Sequence, residues 1–226
     1  TSGVTDELRE ELLQDLDAAG VETGIVGGVY SLTNAVAGNA VAVFDRYIDG
    51  SLEYRGAVDA DGFGYELEGT NFNPLDSQSA IITSDFGQFV VGVSAGSDEV
   101  FVMHVDRDSN ELTLTDKASS NGEFPVSVAM HKDLMFVLND HSSNISGFRI
   151  SPQGELTPIA NSSRSMGPGG ESPIANAPER GILRHEIAFT PDGSKLVVVE
   201  SGTNSDVIHV FAVDEDGIPS ERVTSL

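Results

Sequence analysis

Arg184, His185 and Glu200 place a guanidinium, an imidazole and a carboxylate within one short span of chain. The planar fork of an arginine binds a carboxylate or phosphate of a small substrate, while a histidine or glutamate beside it accepts or relays a proton. On this reading Arg184 is the substrate-binding residue, and Glu200 and His185 are the catalytic pair. The same three side chains also compose a salt bridge with a hydrogen-bonded histidine that anchors a loop. Spacing alone favours this second reading. Asn139 and Asn204, with Asn34, are further candidate ligand-binding side chains, and local turn capping is the commoner use of each.

The remaining histidines are weaker candidates. His131 belongs to a tight turn, and His104 and His209 fall within strand-like runs and are expected to be partly exposed. His141 stands beside Asp140 without a second ligand. The chain has no cysteine, so it carries no disulfide, thiolate nucleophile or Cys-type zinc site. HExxH, GxGxxG and P-loop patterns are absent, no GxSxG motif supplies a nucleophile elbow, and neither a metal nor a cofactor is expected. Asp214-Glu215-Asp216-Gly217 has the composition of a calcium loop but not its ligand order, and reads as a hairpin turn.

The elements that must position these residues form a repeat. Short runs rich in Val, Ile, Phe and Tyr return four times, at 27–54, 88–114, 133–158 and 195–220. Aligning Phe44, His104, Phe148 and Phe211 places Gly50, Asn110, Gly154 and Gly217 six residues downstream in each copy. Gly and Asn are the residues that best tolerate positive φ, so a backbone geometry recurs along with the hydrophobic pattern. A further strand precedes each later copy, in SAIITSDFGQ, PVSVAMHKD and EIAFTPDGSK. The unit is therefore a meander of four strands, denoted A to D. In the last copy A covers 186–190, B 195–200, C 207–213, and D follows Gly217.

A four-stranded antiparallel meander repeated at this spacing is the sequence form of a β-propeller blade. The expected fold is all-β: a β-propeller of four-stranded antiparallel blades, about four of them visible, near 27–54, 79–114, 124–158 and 186–220. A β-sandwich is the alternative, but it leaves the recurring turn unexplained. Residues 1–22 stand apart as a short amphipathic helix, with Val4, Leu8, Leu12 and Leu16 on one stripe. Since successive strands reverse direction, the A–B and C–D turns share one rim and the B–C and D–A loops the other. Arg184, His185 and Glu200 fall on the second rim, where propeller ligands are expected.

Composition narrows the partners. The 226 residues include 36 acidic side chains against 12 Lys plus Arg, a formal net charge of -24. Such a chain lacks the clustered cations that displace counterions from a polyanion, so nucleic acid is not an expected partner. Nor is a membrane, since no run approaches 18 apolar residues. An acidic, lysine-poor surface fits a protein kept soluble in high salt, which places it in the cytoplasm of a salt-adapted organism. A secreted or periplasmic location is the alternative. The N-terminal stretch lacks the basic and apolar regions of a signal peptide, although a processed precursor would look the same.

The segment ILRHEIAFTPDGSKLVVVESGTNSDVIHVFAV resembles the seven-bladed lactonase β-propellers, which include 6-phosphogluconolactonases and carboxy-muconate lactonising enzymes. The likeness spans about 27–220 and lies in the Arg-His pair, the Pro-Asp-Gly turn and the Arg-to-Glu spacing. It implies a lactonase-like hydrolase acting on a small anionic sugar or dicarboxylate lactone. Arg184 would match a substrate-carboxylate arginine, Glu200 an active-site carboxylate, and His185 the histidine beside that arginine. Two features of the family pattern are missing. Pro125 is followed by Val126 and Ser127 rather than His, and the chain stops before a later blade could supply a further arginine. The contrary reading is a noncatalytic propeller serving as a ligand-binding or interaction scaffold. Either way, the missing blades are expected from the rest of a longer chain or from another subunit, because four blades leave open edges.

Overall fold

A computed structural model describes residues 24–66, 75, 77–167, 183–201, 206–221 and 224–225. The expected helix over 1–22 lies outside the described residues. Sixteen strands are described: β1 (Ile25–Leu32), β2 (Ala40–Tyr47), β3 (Leu52–Asp59), β4 (Ile81–Thr83), β5 (Phe89–Ser94), β6 (Glu99–Val105), β7 (Leu112–Ser119) and β8 (Pro125–His131). The others are β9 (Leu134–Asn139), β10 (Asn144–Ile150), β11 (Leu156–Pro158), β12 (Arg164–Ser165), β13 (Leu183–Phe189), β14 (Lys195–Ser201), β15 (Val207–Ala212) and β16 (Thr224–Ser225).

They form four antiparallel sheets in chain order: β1-β2-β3, β4-β5-β6-β7, β8-β9-β10-β11 with β12 also on β10, and β13-β14-β15-β16. These are numbered sheets 1 to 4. Only the second and fourth have four strands. The described part of sheet 1 has no strand A, and sheet 3 gains a fifth strand where the chain returns at Arg164. In sheet 4 the turn at Gly217 is followed by an antiparallel Val213–Pro219 bridge, and the fourth strand is described over Thr224–Ser225. The backbone geometry of the repeat is as expected: φ is +83° at Gly50, +57° at Asn110, +84° at Gly154 and +81° at Gly217.

The sheets stack face to face through three cores. Val41 and Val43 of sheet 1 pack with Val90, Phe101 and Met103 of sheet 2. Val91, Val93 and Val102 of sheet 2 pack with Val128, Val137 and Phe148 of sheet 3. Phe136, Leu138 and Ile145 of sheet 3 pack with Ile187, Leu196, Val198 and Phe211 of sheet 4. The inner strands meet along one side: Gln78 N donates to the His185 carbonyl, Val128 N to the Ser79 carbonyl, and Ile187 N to Ser127 Oγ. This is a partial propeller, and a two-sheet sandwich is set aside by its four separate sheets.

Burial follows position in the stack. Every residue of β5 is buried, and in β9 all but the first. In β2 and β14 buried residues alternate with more exposed ones, because sheets 1 and 4 are covered on one side only. The uncovered side of sheet 4 is nevertheless apolar, with Val197 opposite Val210 and Val199 opposite Ile208.

Candidate functional site

Strands β13 and β14 form a hairpin whose register sets Arg184 opposite Glu200. A register shift between Arg184 and Glu186 interrupts this pairing. The hairpin explains how residues separated in sequence come together, and it does so at the end of the sheet that faces the B–C loops. Arg184 is 3% exposed and Glu200 5%. Arg184 Nη2 and Glu200 Oε2 form an ion pair at 3.1 Å.

Two residues that sequence reasoning left aside complete the cluster. His209, in the middle of β15, is only 1% exposed, not partly exposed as expected. Its position in the chain did not reveal that sheet 3 covers its side of the sheet. Its Nε2 lies 3.3 Å from Glu200 Oε2. Asp140, in the B–C turn of sheet 3, accepts the backbone N–H of Arg184 on Oδ1 at 3.1 Å, while Arg184 Nη1 donates to the Asp140 carbonyl at 3.1 Å. The guanidinium thus lies between two carboxylates on neighbouring sheets. Burial raises the Asp140 carboxyl above its ordinary value, against the lowering effect of Arg184.

The two oxygens of Glu200 differ. Both cationic or donor groups converge on Oε2. Oε1 accepts from no described residue, and Arg184 Nε and His209 Nδ1 are fully buried without a partner. A carboxylate with one oxygen fixed and one unbonded can accept a proton from water.

The other expected site residues are placed differently. His185 Nε2 bonds Ser201 Oγ at 2.6 Å rather than Glu200. Asn139 is buried and its Nδ2 donates to the Ser120 carbonyl at 3.3 Å, leaving Oδ1 buried without a partner. Asn204 lies outside the described residues. Asn34 does not cap its own turn with these bonds but bridges to a distant segment: its Oδ1 accepts from Tyr65 N and its Nδ2 donates to the Tyr65 carbonyl, each at 3.0 Å. His141 stacks on Phe124 with ring centroids 4.2 Å apart. Asp214 Oδ1 accepts the N–H groups of Asp216 and Ile218, so that acidic turn is bonded to itself. Among the described residues no group of three His, Cys, Asp or Glu is placed to hold a metal.

Asp140 belongs to a series. Asn34, Asp98 and Asp140 each stand in a B–C loop and each accept a backbone N–H from a segment further along the chain, at Tyr65, Phe124 and Arg184. The recurrence of Asn or Asp in this loop was the available signal for Asp140. Only in the last instance does the donor residue also carry a charge.

A family model described as Lactonase, 7-bladed beta-propeller, matches residues 37–170. The chain belongs to this lactonase family. Asp140 lies inside the matched part, and Arg184, Glu200 and His209 lie beyond it. Among solved structures, the chain resembles a protein from Lactobacillus plantarum at 20% identity and TM-score 0.62, covering 83% of this chain and 51% of that one. It resembles a putative 6-phosphogluconolactonase from Bacteroides fragilis at 21% and 0.60, covering 88% and 51%. A periplasmic gluconolactonase from Pseudomonas aeruginosa matches at 18% and 0.62, covering 88% and 54%. At these identities the likeness is one of fold. This lactonase-family chain spans about half the length of those structures. No curated protein matches it.

Proposed function

We propose that this chain is part of a lactonase-like hydrolase acting on a small sugar or dicarboxylate lactone that carries an anionic group. The observation that supports this reading is the asymmetry of Glu200, with Oε2 held by Arg184 and His209 and Oε1 bonded to no described residue. Glu200 takes a proton from water as the water oxygen bonds to the lactone carbonyl carbon. The ring C–O bond then breaks and its alkoxide oxygen takes up a proton. Arg184 holds the substrate's anionic group, and His185, through Ser201, supports the transfer of a proton. Asn139 and Asn204 are the polar side chains assigned to the substrate's hydroxyl groups. The names of the related proteins, a putative 6-phosphogluconolactonase and a gluconolactonase, agree with this substrate class.

A second reading has its own support. Arg184 and Glu200 are nearly inaccessible, and Arg184 already faces two carboxylates, as a structural stitch between sheets would. On that reading the protein is a noncatalytic binding or interaction scaffold. Hydrolysis of a gluconolactone-type substrate by the parent and by Glu200→Gln separates the two. A loss of about 10²–10⁴-fold with folding intact supports the hydrolase. Parent turnover no faster than the uncatalysed rate supports the scaffold.

The remaining blades are assigned to the rest of a longer chain or to another subunit, since the chain covers half of its solved relatives. The acidic surface is assigned to a salt-adapted cytoplasm, with secretion or the periplasm as the alternative. Unfolding midpoints that do not change with salt would reject the first assignment.

A further inference from the structure

On the rim opposite Arg184, a cleft of about 770 Å³ opens between sheets 2 and 3. Phe89, Met130 and Ile150 contribute its buried and half-buried apolar side chains, and Phe86 and Lys132 stand on the two A–B turns that border it. Phe86 is 89% exposed and has φ 67° and ψ 5°. It is the third residue of a turn closed by Gly87 N donating to the Ser84 carbonyl at 2.8 Å. A positive φ at this place in a turn calls for Gly or Asn, and for a bulky aromatic it is a strained conformation. In the corresponding turn of sheet 4, closed by Gly193 N on the Thr190 carbonyl, Gly193 takes a positive φ as Gly87 does, +72° against +63°, but Asp192, which stands where Phe86 does, has no positive φ. Neither the hairpin nor the core explains a strained, exposed ring at Phe86.

The charges around the cleft are unevenly committed. Arg149 is paired with Asp133 at 2.5 Å. Lys132 makes no ion pair with any described residue, and Asp85 shares the Phe86 turn. An acidic group on a ligand is therefore attracted to the Lys132 side and repelled from the Phe86 side, where an uncharged ring fits.

We propose that this cleft binds a small planar aromatic molecule with one acidic group, its ring on Phe86 and the apolar floor and its acid at Lys132. The site is separate from Glu200 and does not depend on lactone hydrolysis. The probes are 8-anilinonaphthalene-1-sulfonate and its uncharged counterpart N-phenyl-1-naphthylamine, titrated by fluorescence into the parent, Phe86→Gly and Lys132→Gln proteins. Phe86→Gly is expected to weaken both dyes about tenfold while raising Tm by about 2–4 °C, because glycine accepts the backbone conformation. Lys132→Gln is expected to weaken only the sulfonate, about fivefold. Unchanged dye affinity in Phe86→Gly would place the dye elsewhere, for instance on the open sheet faces, and overturn the proposal. A lowered Tm in that variant would make Phe86 a packing residue and overturn it too. Equal loss of both dyes, or of neither, in Lys132→Gln would overturn the assignment of the acid.

Discussion

Arg184 and Asp140 join sheets 4 and 3 twice: the arginine backbone N–H meets Asp140 Oδ1, and its Nη1 meets the Asp140 carbonyl, both at 3.1 Å. The aspartate side chain therefore serves as acceptor for a buried backbone donor as well as counter-charge. Asp140→Ala removes both roles, keeps only the backbone carbonyl for Nη1 and leaves Arg184 with the Glu200 carboxylate as its counter-charge, a loss expected to cost about 3–5 kcal/mol in urea unfolding. Asp140→Asn keeps an acceptor and is expected to cost less than half as much. Equal losses in the two variants would show that charge, not the backbone bond, is what matters.

The same aspartate gives a pH dependence with a definite sign. Desolvation raises its carboxyl above the ordinary value, outweighing Arg184, so the folded state binds the proton more tightly than the unfolded one. Its contribution to stability is full below the ordinary aspartate value and is lost as pH rises from there through the raised value. Asp192 behaves oppositely. Thr190 Oγ1 and the N–H and hydroxyl of Ser194 all donate to its Oδ1, lowering it to about 2. Its contribution is present above the ordinary value and is lost as pH falls through about 2. Carboxyl NMR titrations of the parent and Asp192→Ala proteins check both directions.

His209 separates catalysis from packing. Its Nδ1 is buried without a partner, a cost of about 1–3 kcal/mol that replacement by Phe removes along with the Nε2 contact to Glu200. His209→Phe is expected to leave stability within about 1 kcal/mol of the parent and, on the hydrolase reading, to lower lactone kcat/KM about tenfold. His209→Gln, which restores a donor, is expected to recover part of that loss. A fall in stability without any change in turnover would make His209 a structural residue.

These residues also mark what the sequence could and could not reveal. Gly50, Asn110, Gly154 and Gly217 disclosed the repeat because a positive φ restricts which residue types fit, and that restriction is local. The meeting of Arg184 with Glu200 was legible for a similar reason, since a hairpin brings together residues equidistant from its turn. His209 was misread because LVVVE and VIHVF are apolar on both faces, and only the neighbouring sheet decides which face is buried. Asp140 comes from that neighbouring sheet, so no spacing within the last copy points to it. The direction of His185 depends on the register shift beside Arg184, which the Arg-His dipeptide does not encode.

The open ends of the stack provide the last prediction. Val199 and Ile208 are exposed on the outer side of sheet 4, and Leu52 and Tyr54 are exposed on strand β3 of sheet 1. A sheet that faced water by design would carry polar residues there, as half-buried antiparallel strands do. Valines at 197, 199 and 210 instead match the doubly covered strands of the middle sheets. The 226-residue chain alone is therefore expected to self-associate in light scattering, and Ile208→Lys with Leu52→Lys to shift it towards monomer. In a longer chain that covers these faces, Ile208→Lys is expected to destabilise by about 2 kcal/mol, the order of a buried side chain's worth. A 226-residue chain that is monomeric without substitution, and whose stability Ile208→Lys leaves unchanged in the longer chain, would show that these faces need no cover.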